Sequence, residues 1–140
     1  MSRMPAGPAL TVDCVCFDRG GRVLLVRRGN PPFKGAYALP GGFVDAGETV
    51  EAACRRELQE ETGVEAGELQ LVGVFSDPAR DPRGPTVSVA YLSVIETAEP
   101  KPGSDAAAAE WVAEWDREKL AFDHAEIITE AESMRRAETG

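Results

Sequence analysis

The chain has 140 residues, 43% of them hydrophobic, which suits one globular domain with a single buried core. Its 24 acidic side chains outnumber 15 basic ones, for a formal net charge of -9. That balance argues against a general nucleic-acid binder, which needs clustered Lys and Arg on phosphates, but not against a small anionic substrate, because a bound divalent ion reverses the local field.

Residues 1–10 show no basic region followed by an apolar stretch, and no apolar run approaches membrane-spanning length, so a soluble, cytoplasmic protein with no membrane partner is expected. Residues 11–17 are rich in β-branched and apolar side chains and predict a strand. Cys14 and Cys16 lie two apart on it and therefore share a face. With Cys54 they make three cysteines, an odd count without framework spacing, which suggests a reducing compartment. The only histidine is His124, so a zinc site is poorly supplied and the cysteines read as small core residues.

Residues 18–21 form a turn and 22–26 a second strand, giving a hairpin. Residues 29–35 hold two prolines and two glycines and predict a loop, 36–39 a short extended piece, and Pro40-Gly41-Gly42 a break in any regular structure. Residues 49–61 predict a helix, with Thr49 as its cap and Gly63 where a left-handed stop is wanted. Strands follow at 69–75 and 86–95, separated by an irregular segment with three prolines. A polar loop at 96–106, a short strand at 109–112 and a closing helix at 123–136 capped by Asp123 complete the chain. The expected fold is a single α/β domain over residues 1–140, a mixed β-sheet with helices on its faces.

Glu57, Glu60 and Glu61 fall at i, i+3 and i+4, on one helical face. Three like charges so placed repel, and a cation would remove that cost. Magnesium, manganese and calcium favour such oxygen ligands. The alternative is a solvated face paired with Arg55 or Arg56. The upstream segment from Gly41 to Glu48 tips the balance, because its glycines let backbone groups approach an ion or phosphate closely.

Here the sequence resembles the Nudix hydrolase family. Its pattern is matched at Gly42, Glu48, Arg56, Glu57, Leu58, Glu60, Glu61, Gly63 and Val64, all nine defined positions over 23 residues. The resemblance implies the family's α/β/α sandwich. It also implies that Glu57, Glu60 and Glu61 hold Mg2+ or Mn2+, with a backbone carbonyl of Gly41 or Gly42. Arg56 and Glu48 would orient the glutamates, and Leu58 would pack into the core beside Cys54. Glu57, Glu60, Arg56 and Glu48 are thus the expected catalytic set. A later acid often completes such sites. Asp105 is the candidate, with Glu96, Glu99 and Glu110 as alternatives. The metal would neutralise diphosphate oxygens and activate a water for in-line attack on phosphorus. Glu57 or the loop acid would take the proton, and the residues leave that choice open.

Residues outside the Nudix pattern read the leaving groups. In residues 76–84, Arg80 and Arg83 are forks suited to phosphate oxygens, and Asp77 and Asp81 can accept from ribose hydroxyls. The alternative is a charged turn between strands. This segment resembles the ADP-ribose pyrophosphatase branch, as do Pro32-Phe33-Lys34-Gly35 running into Leu39-Pro40-Gly41-Gly42-Phe43-Val44-Asp45, and Leu120-Ala121-Phe122-Asp123-His124-Ala125. The resemblance implies hydrolysis of ADP-ribose to AMP and ribose 5-phosphate, with a small-molecule nucleotide as partner. NADH, flavin dinucleotides, dinucleoside polyphosphates and oxidised nucleoside triphosphates are alternative substrates. Phe33, Phe43, Trp111 and Trp115 are candidates for stacking on adenine or for core packing, and His124 reads as a surface or capping residue. Some Nudix-like domains instead sense ADP-ribose in transcription regulators that carry a winged-helix module. The complete set of box carboxylates and the chain ending at Gly140 favour the enzyme. A homodimer is a further expectation, dimers being common in the ADP-ribose branch.

Overall fold

A computed structural model describes residues 7–103 and 106–139. The first strand, β1 (Ala9–Asp18), is buried from Val12 to Asp18 because it runs through the middle of the sheet. The strands β2 (Val23–Arg28), β3 (Tyr37–Ala38) and β4 (Gly41–Phe43) follow. The helix α1 (Val50–Thr62) then leads to β5 (Gln70–Phe75), β6 (Thr86–Ile95), β7 (Ala106–Val112) and the closing helix α2 (His124–Thr139). The sheet runs β3-β2-β1-β6-β5, with β4 paired to β1 and β7 to β2. Among the strand pairs of the described residues, only β1 and β6 are parallel, in register from Ala9↔Thr86 to Asp18↔Ile95. The sheet is therefore mixed, and helices flank it, as expected.

Alternation along β1 sorts the core. Val12, Cys14 and Cys16 face α1 and pack with Ala53, Cys54 and Leu58. Val15 and Phe17 face the other way and pack with Ile127, Ile128 and Ala131 of α2. All three cysteines are free and buried. Leu58 is fully buried beside Cys54, so its truncation to Ala would cost about 2–5 kcal/mol.

Helix α1 begins and ends for the reasons its sequence suggests. The Thr49 hydroxyl accepts from the Ala52 amide, and Gly63 at φ 71° turns the chain left-handed while its amide reaches the Gln59 carbonyl. Two more terminal carbonyls, of Glu61 and Thr62, accept from the amides of Gly103 and Lys101. Gly103 fits there because any Cβ would stand 2.3 Å from the Glu60 carbonyl oxygen.

The glycine segment departs from expectation. Instead of breaking regular structure, Gly41–Phe43 pairs antiparallel with β1, Asp13 facing Gly41 and Thr11 facing Phe43. Glycine makes this approach feasible, since a Cβ on Gly41 would lie 2.1 Å from the Val12 carbonyl oxygen. The last strand is also longer than its sequence suggests, because β2 templates it as far as the Arg28↔Ala106 pair. β1 and β2 pair at Phe17↔Val23, beside their turn, and β4 takes the far part of β1. Residues of all three strands line the cleft between them.

Candidate active site

A cavity of about 480 Å³ lies in that cleft. Its acidic wall is Glu57 and Glu61 of α1 against Gly41 and Gly42 of β4. The Gly41 amide donates to Glu61 Oε2 at 2.9 Å. The Glu57 carboxylate fills the space a side chain on Gly42 would take, 2.8 Å from the Cβ position. Arg56 organises the wall from behind. Its Nε and Nη2 donate to Glu48 at 2.7 and 3.0 Å, and its Nη1 donates to Glu57 Oε1 at 2.8 Å and Glu60 Oε2 at 3.2 Å. A further bond from Nη2 to the Phe43 carbonyl ties the helix to β4.

These contacts set the local charges. The Arg56 guanidinium, with help from the Asp45 amide, holds Glu48 down to about 2. Burial pushes Glu57 the other way, above the usual carboxylate range, despite Arg56 beside it. Glu60 is turned outward, 55% exposed, and Glu48 sits behind the wall, so neither joins Glu57 and Glu61 in lining the cavity. Among the described residues no three His, Cys, Asp or Glu side chains form a ready-made metal cage. The fit to a divalent ion rests instead on donor chemistry: two cavity-facing carboxylates, hard oxygen donors, pressed against a glycine backbone with no Cβ in the way.

The cavity floor is an ionic cluster. Asp13 is 6% exposed and accepts from the Ser88 hydroxyl, with His124 Nε2 at 3.3 Å and Arg80 Nη2 at 3.7 Å. Burial works against the Asp13 charge, but His124, Ser88 and Arg80 together hold its carboxyl below the usual range. The Leu39 amide donates to His124 Nδ1 at 2.9 Å, so that nitrogen carries no proton and Nε2 presents its hydrogen to Asp13. His124 is therefore not a surface residue: it is 5% exposed and ties α2 to the segment entering β4. The Asp123 carboxylate, expected to cap α2, accepts both Nε and Nη2 of Arg80, at 2.9 and 2.7 Å.

This arrangement redistributes the residues singled out between 76 and 84. Arg80 lines the cavity, but its side chain is 5% exposed and its fork is engaged by Asp123. Arg83 and Asp81 line it as a mutual pair, 2.9 Å apart. Asp77 is exposed and accepts from the Ala79 amide within its own turn. Phe33 lies outside the lining and meets Phe122 edge-on, with ring centroids 5.0 Å apart. Trp111 and Trp115 serve the two core clusters, and the aromatic rings at the cavity are Phe43 and Phe122.

Asp105 lies outside the described residues. Of its alternatives, Glu110 accepts from the Tyr37 hydroxyl, Glu96 pairs with exposed Arg19, and Glu99 is exposed. Asp13, Arg28 and Phe122 were not singled out as site residues by the sequence, yet all three line the cavity. For Asp13 a signal existed, as the one acid inside an apolar strand.

The carboxylate helix, the glycine strand facing it and the flanked mixed sheet belong together in a known class. The NUDIX domain profile matches residues 7–131, and the chain is a member of the Nudix family. It is 46% identical over 126 residues to an ADP-ribose pyrophosphatase of Methanocaldococcus jannaschii, covering 90% of this chain and 74% of that protein. It is 37% identical over 132 residues to an ADPR responsive transcriptional repressor, NtrR, of Acinetobacter baylyi, covering 89% of this chain but 53% of the repressor. Among solved structures, the NUDIX domain of Shewanella oneidensis NrtR complexed with ADP ribose superposes with a TM-score of 0.87 at 32% identity, over 92% of this chain and 89% of that one. No helix among the described residues is long and apolar enough to cross a membrane.

Proposed function

We propose that this chain hydrolyses ADP-ribose to AMP and ribose 5-phosphate, using Mg2+ or Mn2+ held by Glu57 and Glu61 with the Gly41-Gly42 backbone, Glu60 turning in from its exposed position to join them. The observation that carries this reading is the cavity itself, whose lining combines the carboxylates of Glu57 and Glu61 with arginines. A diphosphate carries charge that both a carboxylate-held ion and guanidinium groups would neutralise. The 46% identity to an ADP-ribose pyrophosphatase supports the choice of substrate. Bound at the acidic wall, the ion supplies charge neutralisation and an activated water. The chain's own part is positional. Arg56 fixes Glu57, Glu60 and Glu48, and the Gly41 amide fixes Glu61. Glu57 or an additional acid is the candidate to take a proton from the attacking water. Asp105 follows the anchored Gly103 by two residues and stays the candidate for an additional acid. Asp81 and Arg83 are retained as substrate contacts, with Arg80 behind them.

The test is incubation with ADP-ribose and Mg2+ or Mn2+, with AMP measured by chromatography and Glu61→Gln as control. Metal-dependent AMP release that Glu61→Gln abolishes is expected. Tight ADP-ribose binding with no AMP in either metal would refute hydrolysis. It would favour the second reading, a non-catalytic ADP-ribose sensor, which the likeness to NtrR and to the ADP-ribose-bound NrtR domain supports.

A further inference from the structure

Beyond the carboxylates, the cavity lining carries a second constellation. Arg28, at the end of β2, is clamped on three sides. Its amide donates to the Ala36 carbonyl at 2.9 Å, its carbonyl accepts from Gly35 at 2.8 Å, and its Nε donates to the Pro32 carbonyl at 2.6 Å. The guanidinium lies over the Phe122 ring, 5.0 Å from the centroid, and the Arg83 guanidinium lies over the same ring at 5.4 Å. Phe122 adopts φ 53° and Phe33, packed edge-on against it, φ 61°. Two contacting aromatic residues, 89 positions apart, thus both occupy the left-handed region that side chains disfavour. Such strain persists where the surroundings impose it, and here the surroundings are a cavity rim.

The charges around Arg28 are unbalanced. Its terminal nitrogens find no hydrogen-bond acceptor and no ion-pair partner among the described residues, although the side chain lines the cavity. The nearby acids are committed elsewhere, Asp81 to Arg83 and Glu61 to the Gly41 amide. Burial and the neighbouring Arg83 weigh against the Arg28 charge by more than Asp81 and Glu61 support it. A half-buried guanidinium held rigidly, facing a cavity and repelled by a second one, is stabilised by an anion between or beside them. With Nε held by Pro32, the two terminal nitrogens of Arg28 still offer paired donors suited to phosphoryl oxygens.

We propose that Arg28, at the cavity rim beside the Asp81-paired Arg83, is the anion subsite that holds the diphosphate of the substrate. It is the specificity-determining contact that separates diphosphates from monophosphates. The proposal rests on the cavity being a diphosphate-ester site, and it replaces Arg80, whose fork is engaged by Asp123, with a residue whose terminal nitrogens have no acceptor among the described residues.

The test begins with binding, so that it does not depend on turnover. Inorganic pyrophosphate is titrated by calorimetry into the full chain in metal-chelating buffer, beside inorganic phosphate and AMP. Pyrophosphate should bind more tightly than either. Arg28→Gln should weaken it about tenfold or more, and Arg28→Lys, which keeps the charge but not the fork, should recover part of the loss. Arg83→Gln, at an exposed position, should show a smaller effect, and melting curves confirm that each variant is folded. With ADP-ribose, Arg28→Gln should raise KM by more than it lowers kcat. Unchanged pyrophosphate affinity in folded Arg28→Gln, or no pyrophosphate binding by the native chain, overturns the inference. A fall in kcat with KM unchanged also overturns it. Pyrophosphate binding lost in Arg28→Gln, together with no AMP from the native chain, removes the hydrolase reading while upholding the anion subsite.

Discussion

Two adjacent glycines should fail in different ways when given one methyl group. In Gly42→Ala the new Cβ meets the Glu57 carboxylate at 2.8 Å, where ordinary contact begins at 3.4 Å. The obstacle is the end of a side chain, so Glu57 can retreat by about 0.6 Å, stretching its 2.8 Å bond from Arg56. Accommodating the methyl should cost no more than about 1–2 kcal/mol, the low end of overpacking, or a few degrees in Tm. A shift approaching 1 Å at a catalytic carboxylate is worth about 10²-fold in rate. In Gly41→Ala the Cβ meets the Val12 carbonyl oxygen at 2.1 Å and the Asp13 Cα at 3.1 Å. Neither can move without parting β4 from β1, so the cost should exceed about 3 kcal/mol and Tm should fall by roughly 10 °C. Thermal melts and initial rates of AMP release on both variants separate the cases. Gly42→Ala with native activity, or Gly41→Ala with native stability, would show that the packing of β4 against β1 and α1 has been misread.

Three further outcomes follow from the same geometry. Asp123→Asn should lose about 3 kcal/mol in urea denaturation, because it strips a buried guanidinium of its bidentate partner; a loss below about 1 kcal/mol would return Arg80 to the pool of substrate contacts. Glu48 has a folded value of about 2 against an ordinary 4.5, so the stability it draws from Arg56 is complete above about pH 4.5 and lost as pH falls towards 2. The gap in Tm between native protein and Glu48→Gln should close across that window, and a gap constant with pH would contradict the pairing. Burial pushes Cys16 up to about 12, and the hydrogen bond to Cys54 together with burial raises Cys14 as well. A thiol-labelling reagent should therefore modify these cysteines only after denaturation, whereas rapid labelling of the folded chain would mean that the core between β1 and α1 opens.

The sequence alone carried the local elements wherever a single turn or period decides them. Thr49 and Gly63 bracket α1 because a hydroxyl cap and a left-handed stop act within a few residues. Residues 86–95 matched β6 at both ends, and the parity of Cys14 and Cys16 placed them on one buried face with Cys54. The Nudix pattern marked the acidic wall, since all its acids lie within one helix and the loop before it. Even there, Glu60 shares the helical face but not the cavity, because Arg56 draws it outward.

What lay beyond sequence reach was decided by partners far away along the chain. A Pro-Gly-Gly run reads as a break until β1 offers an edge that only glycine can approach. His124 reads as a cap until the Leu39 amide, 85 residues earlier, and Asp13 claim its two nitrogens. Arg80 and Arg28 look equally suited to phosphate in one dimension. In three, Asp123 neutralises the first, while the second stands over Phe122 at the cavity, its terminal nitrogens without an acceptor among the described residues. Spacing fixes which side chains a helix turn or strand face brings together; which charges remain to meet a ligand depends on the counter-charges that folding sets beside them, and only the tertiary structure assigns those.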